Sequence, residues 1–309
     1  MAQADMKNAD GTGPKLETMT IAVSASTLFI MNDQQASKTN GEKILKQGVA
    51  FPFVKALVKA NDYFQKLYPD NEKPFKIFLM NNTATQEKCL KDSLKEFGLS
   101  EISIHEDDIS NLTGNILYLT EDPEKAEIAI KNKHAAGIMF PNDPNMEVQS
   151  KDEEELRVAF DGDGILFSDE SEKVTKGVGL EAFFKNEKDK QDIPLEKGPL
   201  KCFLEVLCNL REKLSDKSPF KVLTYLVTAR GSGIPGFRAL MTLKTWGLEL
   251  NQGFFLCGSP KGPSLQMIRP HIFFDDQQRH IDAARKLGII SAHVPYGIGY
   301  ETPAKKPKK

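Results

Sequence analysis

The sequence has little cysteine, almost no net charge and no apolar segment at its amino terminus. Its four cysteines among 309 residues form no Cys-x-x-Cys motif and have no histidine at zinc spacing, so we expect reduced thiols and no structural zinc site. The 41 Lys and Arg residues nearly balance 43 Asp and Glu residues, for a formal charge of -2, so no overall field attracts nucleic acid or an anionic membrane.

The two ends of the chain are polar. Residues 1–18 contain no apolar core of the kind that a secretory signal or a spanning helix requires. Residues 303–309 form a short basic run. We expect two disordered tails on a cytoplasmic protein that binds neither nucleic acid nor membranes.

Between the tails, apolar runs of strand length alternate with amphipathic stretches. Helical spacing of apolar residues predicts one helix around Phe53 to Leu67 and another over residues 199–214. Strands separated by such helices imply right-handed crossovers and a parallel sheet, and thus an α/β fold. Strands are predicted over residues 20–23, 76–80, 115–119, 136–140, 157–160, 221–227, 254–257, 271–274 and 289–294.

The two halves of the chain share a layout. Residues 116–140 have the same strand, helix and strand order as residues 272–294. We therefore hypothesise two related α/β units, over residues 19–150 and 151–302, although any two α/β units of similar order look alike at this level.

Two pairs of aspartates mark the second unit. Asp161 and Asp163 follow the apolar run that ends at Phe160, and Asp275 and Asp276 follow another such run. If both runs are parallel strands of one sheet, four carboxylates meet at its carboxyl edge, where open α/β sheets bind ligands. Clustered carboxylates repel one another unless a hard cation lies among them, which favours Mg²⁺.

The first unit lacks these acids. Ser24 and Ser26 stand where the second unit has Asp161 and Asp163. Hydroxyl groups neither hold Mg²⁺ as firmly nor form an acyl phosphate. We expect the first unit to be a non-catalytic partner that closes the site.

The second unit contains each residue type that phosphoryl transfer needs. Asp161 could attack phosphorus, and Asp163 could protonate the departing oxygen and then activate water. Thr228 ends a predicted strand and could bind phosphoryl oxygens. Lys261 lies in a turn rich in glycine and proline and could neutralise the charge that nucleophile and phosphate share.

A glycine-rich segment offers a competing interpretation. Residues 231–236 read Gly-Ser-Gly-Ile-Pro-Gly, a formal dinucleotide-binding motif. Arg230 intervenes after the strand and Pro235 restricts the turn, so we interpret it as a loop bordering the phosphate site. Arg230 either contacts substrate or pairs with a carboxylate. The five histidines are interpreted as core or surface residues.

These motifs together resemble a known family. Asp-x-Asp after a strand, a later Thr and Lys, and a final Asp-Asp pair are the pattern of the haloacid dehalogenase superfamily. The longer stretches Val158 to Glu172, Tyr225 to Arg230 and Arg269 to Asp276 are similar to cytosolic type I 5'-nucleotidases. Gly164 departs from the superfamily pattern, which usually has Thr or Val there.

The resemblance implies a haloacid dehalogenase-like sheet and Mg²⁺-dependent hydrolysis of nucleoside 5'-monophosphates, AMP foremost. It also implies activation by ADP and oligomerisation. The alternatives are a nucleotide sensor without turnover and, on residues 231–236, a dinucleotide-dependent oxidoreductase. The predicted site residues are Asp161, Asp163, Thr228 and Lys261 for catalysis, Thr228, Ala229, Arg230 and Lys261 for substrate, and Asp161, Asp163, Asp275 and Asp276 for metal.

Overall fold

The computed structural model describes residues 17–31, 37–39, 42–82, 86–141 and 154–300. The basic carboxyl-terminal tail, nearly all of the amino-terminal tail and the expected boundary at residue 150 lie outside these ranges. Within them, no helix is both long enough and apolar enough to cross a membrane.

The described residues form a sheet flanked by helices. The strands are β1 (Met19–Ser24), β2 (Phe29–Ile30), β3 (Ser37–Thr39), β4 (Glu42–Ile44), β5 (Lys46–Gln47), β6 (Phe75–Asn81), β7 (Ser103–Glu106), β8 (Ile116–Thr120), β9 (Ala135–Met139), β10 (Glu155–Phe160), β11 (Lys221–Thr228), β12 (Gln252–Phe255), β13 (Ile272–Asp275) and β14 (Ser291–His293). The helices are α1 (Ala25–Leu28), α2 (Phe51–Leu67), α3 (Glu87–Glu96), α4 (Pro123–Lys131), α5 (Glu170–Val178), α6 (Leu180–Asp189), α7 (Lys201–Leu214), α8 (Ile234–Thr245), α9 (Gly262–Ile268) and α10 (Gln278–Arg285).

One sheet of ten strands runs through both halves of the chain, in the order β12-β11-β10-β13-β14-β9-β8-β1-β6-β7. Each half has the same arrangement, in which its first strand is central, its second and third lie on one side, and its fourth and fifth on the other. Within this sheet the strands of each half are parallel, whereas β2 with β5 and β3 with β4 form two separate antiparallel pairs. The halves join where β14 pairs with β9 in antiparallel orientation, so the carboxyl ends of these two strands point to opposite edges of the sheet.

The strands expected from the apolar runs are all present, and so are the helices around Phe53 and Phe203. The prediction of a parallel sheet is confirmed within each half and wrong at the junction. The edge strand β7 was not anticipated because its sequence, Ser-Ile-His-Glu, is polar and mostly exposed. This strand buries too little surface to show an apolar run.

A continuous apolar core crosses the junction. Phe203 on α7 contacts Phe53 and Phe75 of the first half, at ring centroid distances of 6.3 and 6.4 Å. On its other side it contacts Phe160 and Phe274 of the second half, at 6.0 and 6.1 Å. Because Phe160 and Phe274 directly precede Asp161 and Asp275 in sequence, the core supports the sheet edge that carries the aspartates.

Candidate active site

The two aspartate pairs meet at this edge because β10 and β13 are neighbours in register. Phe160 pairs with Phe274, and the backbone N–H of Asp161 donates to the carbonyl of Phe274 at 2.9 Å. The residues that follow this pair, Asp161 and Asp275, therefore lie at the same edge of the sheet. Asp161 and Asp275 are both buried there, at 4% and 0% exposure.

Lys261 lies between these two carboxylates. Its Nζ atom is 2.8 Å from Asp161 Oδ1 and 2.6 Å from Asp275 Oδ2. Burial disfavours the charged ammonium, but attraction by Asp161 and Asp275 outweighs it and raises the pKa of Lys261. The turn that begins α9 thus supplies a buried, permanently charged lysine.

The two carboxylates differ in their other surroundings. Burial raises the pKa of Asp161 to about 7, against the opposing effect of Lys261. Burial also acts to raise the pKa of Asp275, but Lys261 and His280 lower it overall. Asp275 accepts from the backbone N–H of Gln277 at 2.8 Å and lies 3.1 Å from His280 Nδ1. Asp275 is therefore satisfied by protein groups, whereas one oxygen of Asp161 is left for another partner.

Thr228 and the loop that contains Lys261 border the same edge. A Cβ added at Gly162 would lie 3.1 Å from Thr228 Oγ1, so the loop after β10 packs closely on Thr228. Two hydrogen bonds extend the pairing of β11 and β12 into the Lys261 loop. The backbone N–H of Leu256 donates to the carbonyl of Thr228, and the backbone N–H of Gly258 donates to the carbonyl of Ala229. The predicted substrate-binding segment and the lysine turn are thereby held together.

Asp163 is bonded to Arg230 through both of its oxygens. Arg230 Nε donates to Oδ2 at 2.8 Å and Nη2 donates to Oδ1 at 2.7 Å. The remaining guanidinium donors bond to Glu187, Ser171 and the carbonyl of Pro235. Of the two roles considered for Arg230, pairing with carboxylates is the one seen in this structure, and its predicted contact with substrate stays a prediction.

Helices α5 and α6, referred to here as the α5–α6 hairpin, carry the partners of this arginine. Glu187 on α6 is fully buried and accepts from Arg230 at 2.6 Å and from Arg238 on α8 at 2.9 Å. Burial acts to raise the pKa of Glu187, but the arginines and Ser171 lower it overall. The hairpin is thus fixed to the sheet edge by a buried charge network that ends at Asp163.

Asp276 has a different environment from its neighbour Asp275. It is fully buried, yet neither of its carboxylate oxygens has a hydrogen-bond partner among the described residues. Burial, followed by repulsion from Glu172 and Asp161, raises the pKa of Asp276 to about 10. Its carboxylate packs on the loop after β10, since a Cβ added at Gly164 would lie 2.6 Å from it. The glycine at position 164, where the superfamily usually has Thr or Val, therefore leaves room for the Asp276 side chain.

A carboxyl-terminal segment covers Asp276 and links it to the first half of the chain. His293 Nε2 donates to the backbone carbonyl of Asp276 at 2.8 Å, and the His293 ring contacts Tyr300 at a centroid distance of 5.0 Å. Tyr300 donates in turn to Glu127 on α4 at 2.9 Å. Whether the first half also closes the site over substrate stays a prediction.

Sequence reasoning missed several residues at this edge. His280 contacts Asp275 and His293 contacts Asp276, although both were interpreted only as core or surface histidines. Glu172 and Glu187 were not singled out, and both bond to other residues of the site. Only the short separation of His280 from Asp275 along the chain could have indicated its contact.

The fold and the site define an α/β protein whose buried acids, lysine and threonine at one sheet edge are suited to phosphoryl chemistry. The 5'-nucleotidase family model matches residues 13–301, and the chain belongs to that family. It is 41% identical over 298 residues to cytosolic 5'-nucleotidase 1B of Homo sapiens, an alignment that covers 89% of this chain and 48% of the relative. The chain thus spans about half the length of that curated relative. No solved structure gave a significant match.

Proposed function

We propose that this chain is a Mg²⁺-dependent 5'-nucleotidase that hydrolyses nucleoside 5'-monophosphates, AMP foremost, through a phosphorylated Asp161. Family membership and the relative's name support the reaction. The observation that carries the mechanism is the buried carboxylate of Asp161, held by Lys261 at the end of a central strand. A fixed, desolvated carboxylate beside a buried cation is suited to attack a dianionic phosphate.

In the first step, a carboxylate oxygen of Asp161 bonds to phosphorus and the bond from phosphorus to O5' breaks. The electron pair goes to O5', which takes a proton from Asp163. In the second step water attacks the same phosphorus, gives a proton to Asp163 and releases phosphate and the Asp161 carboxylate. Both Asp163 oxygens bond to Arg230, so Asp163 must give up at least one of these bonds to reach substrate.

The residues at this edge fit a divalent cation. Asp276 has two buried oxygens without partners and lies beside the Asp161 loop, and carboxylates are the ligands that Mg²⁺ prefers. Asp161 and Asp276 would hold the ion, while Asp275 is already bonded to Lys261, His280 and Gln277. A bound Mg²⁺ would neutralise charge on the phosphate. The Asp163 carboxylate is an unsuitable ligand while Arg230 occupies it.

We further propose that the second half is a haloacid dehalogenase-type domain and the first half its degenerate relative. The shared strand arrangement of the two halves supports this proposal. Ser24 ends β1, the strand that corresponds to β10, and thus occupies a position similar to that of Asp161. The Ser24 hydroxyl bonds to the Thr27 hydroxyl at 2.5 Å. We still expect activation by ADP, oligomerisation and a cytoplasmic location from the resemblance alone. The word cytosolic is part of the relative's name.

The decisive experiment measures phosphate release from AMP, IMP, dCMP and dUMP, with Mg²⁺ and then with EDTA. Wild type should be active only with Mg²⁺ and fastest on AMP. Asp161→Asn should bind nucleotide yet release no phosphate, and activity in that variant would mean that the nucleophile is wrong. Nucleotide binding without any turnover in wild type would favour a sensor. Membership in the 5'-nucleotidase family already weighs against an oxidoreductase. A measurement of NAD(H) binding would test that alternative.

A further inference from the structure

Buried oxygens without partners are concentrated at one point of this protein. Within the described ranges, five buried side-chain nitrogen or oxygen atoms lack a hydrogen-bond partner, and three of them belong to Asp276 and Glu172. Each such atom loses its bonds to water without gaining a partner, which destabilises the fold, so native proteins contain few. Three of them on two neighbouring carboxylates indicate a missing cationic partner.

The two carboxylates flank the same backbone position. A Cβ added at Gly299 would overlap Asp276 Oδ2 and would lie 3.2 Å from Glu172 Oε2. The other Glu172 oxygen accepts from Gln277 Nε2 at 2.7 Å. Gln277 follows Asp276 directly, so this bond fixes the orientation in which Glu172 presents Oε2 toward Asp276.

The basic side chains near this point are already engaged elsewhere. Lys261 bonds to Asp161 and Asp275, and Lys176 bonds to the carbonyl of Ile298. Arg230 bonds to Asp163 and Glu187. Among residues 154–300, no basic side chain therefore neutralises the pair, and a small inorganic cation is a suitable partner for oxygens to which no described group donates.

We propose that Glu172 is an additional carboxylate of the cation site, acting with Asp276 directly or through a bound water. This inference rests on the proposed Mg²⁺ dependence and extends it to a residue outside the two aspartate pairs. Glu172 lies on α5, whereas Asp276 follows β13. Cation binding would therefore hold the α5–α6 hairpin against the sheet edge.

The test is a calorimetric titration of Mg²⁺ into the metal-stripped, full-length protein, which needs no turnover. Glu172→Gln keeps the size and the bond to Gln277 but removes the charge, and should raise the Kd for Mg²⁺ by ~10–100-fold. Glu181→Gln removes the same charge from an exposed position on the same hairpin, and should leave the Kd unchanged. Glu172→Asp should give an intermediate Kd.

Hydrogen exchange of residues 170–189 provides a second measurement. Mg²⁺ should slow exchange in wild type and in Glu181→Gln, and should have little effect in Glu172→Gln. A wild-type Kd in Glu172→Gln would overturn the inference. It would mean that Glu172 does not contribute to cation binding, for example because it only shares a proton with Asp276. If Asp276→Asn also binds Mg²⁺ with wild-type affinity, the proposed cation site itself is wrong, which distinguishes the two failures.

Discussion

Replacing Asp276 with asparagine should make the metal-free protein more stable while removing its response to Mg²⁺. Asp276 is fully buried, and no residue in the described part of the chain donates a hydrogen bond to either of its oxygens. Asparagine has nearly the same size and carries no charge. The substitution therefore removes the free-energy cost of keeping Asp276 protonated at neutral pH and leaves the packing against Gly164 in place.

The magnitude follows from the pKa of the buried group. Burial and the nearby acids raise the pKa of Asp276 to about 10 from 3.8, so at neutral pH the folded chain binds a proton that the unfolded chain has released. Stability then falls by about 1.4 kcal/mol for each pH unit above ~4, which amounts to about 4 kcal/mol at pH 7. This loss would continue until the pH passes the folded pKa. Asp276→Asn should recover up to that amount.

Urea unfolding, monitored by circular dichroism in EDTA at pH 5, 6 and 7, measures this effect. The stability difference between Asp276→Asn and wild type should widen by about 1.4 kcal/mol per pH unit. Exposed Asp192 provides the control, because Asp192→Asn should show no such trend. Mg²⁺ should stabilise wild type by mass action and the variant much less. Equal stability of Asp276→Asn and wild type at pH 7 in EDTA would refute the reasoning.

Three other substitutions test separate contacts. Lys261→Ala leaves Asp161 and Asp275 buried without their shared cation, and should lower the rate of phosphate release by ~100-fold or more; a near-normal rate would contradict its role. Gly164→Ala should weaken Mg²⁺ binding in calorimetry, because its added Cβ would meet Asp276, whereas Gly98→Ala, at a similar positive φ with nothing nearby, should only destabilise the fold. Gly137→Val should lower stability in urea by about 1–3 kcal/mol, since a Cβ there would lie 2.8 Å from Ala292 across the junction; unchanged stability would mean that the junction relaxes freely.

The sequence was sufficient for those parts of the fold that bury apolar surface. The central strands β10 and β13 contain the continuous apolar runs Val158 to Phe160 and Ile272 to Phe274, because both faces of the sheet are covered there. The polar edge strand β7 carries no such pattern. The antiparallel pairing of β14 with β9 was also out of reach, because neither strand's residues encode the direction of a partner that comes from the other half of the chain.

The residues of the candidate site also fall into those that the sequence could place and those that it could not. Asp161 and Asp275 could be placed together from sequence, because each follows a strand and the carboxyl ends of parallel neighbours meet. Glu172 and Glu187 could not, because their positions depend on how the α5–α6 hairpin packs on the sheet edge. A glutamate on an amphipathic helix is usually solvent-exposed, and nothing in the local sequence distinguishes these two.

The hairpin therefore connects the two sides of the proposed chemistry. Glu172 faces Asp276 at the proposed cation site, while Glu187 anchors Arg230, which bonds to both oxygens of Asp163. A buried arginine and glutamate are strongly destabilising if either loses its partner, so Arg230 should keep Glu187 when Asp163 leaves it. Movement of Asp163 toward substrate then requires no disruption of the hairpin's anchor. The same helices can hold the proposed cation site in place while Asp163, the proposed proton donor, changes partners.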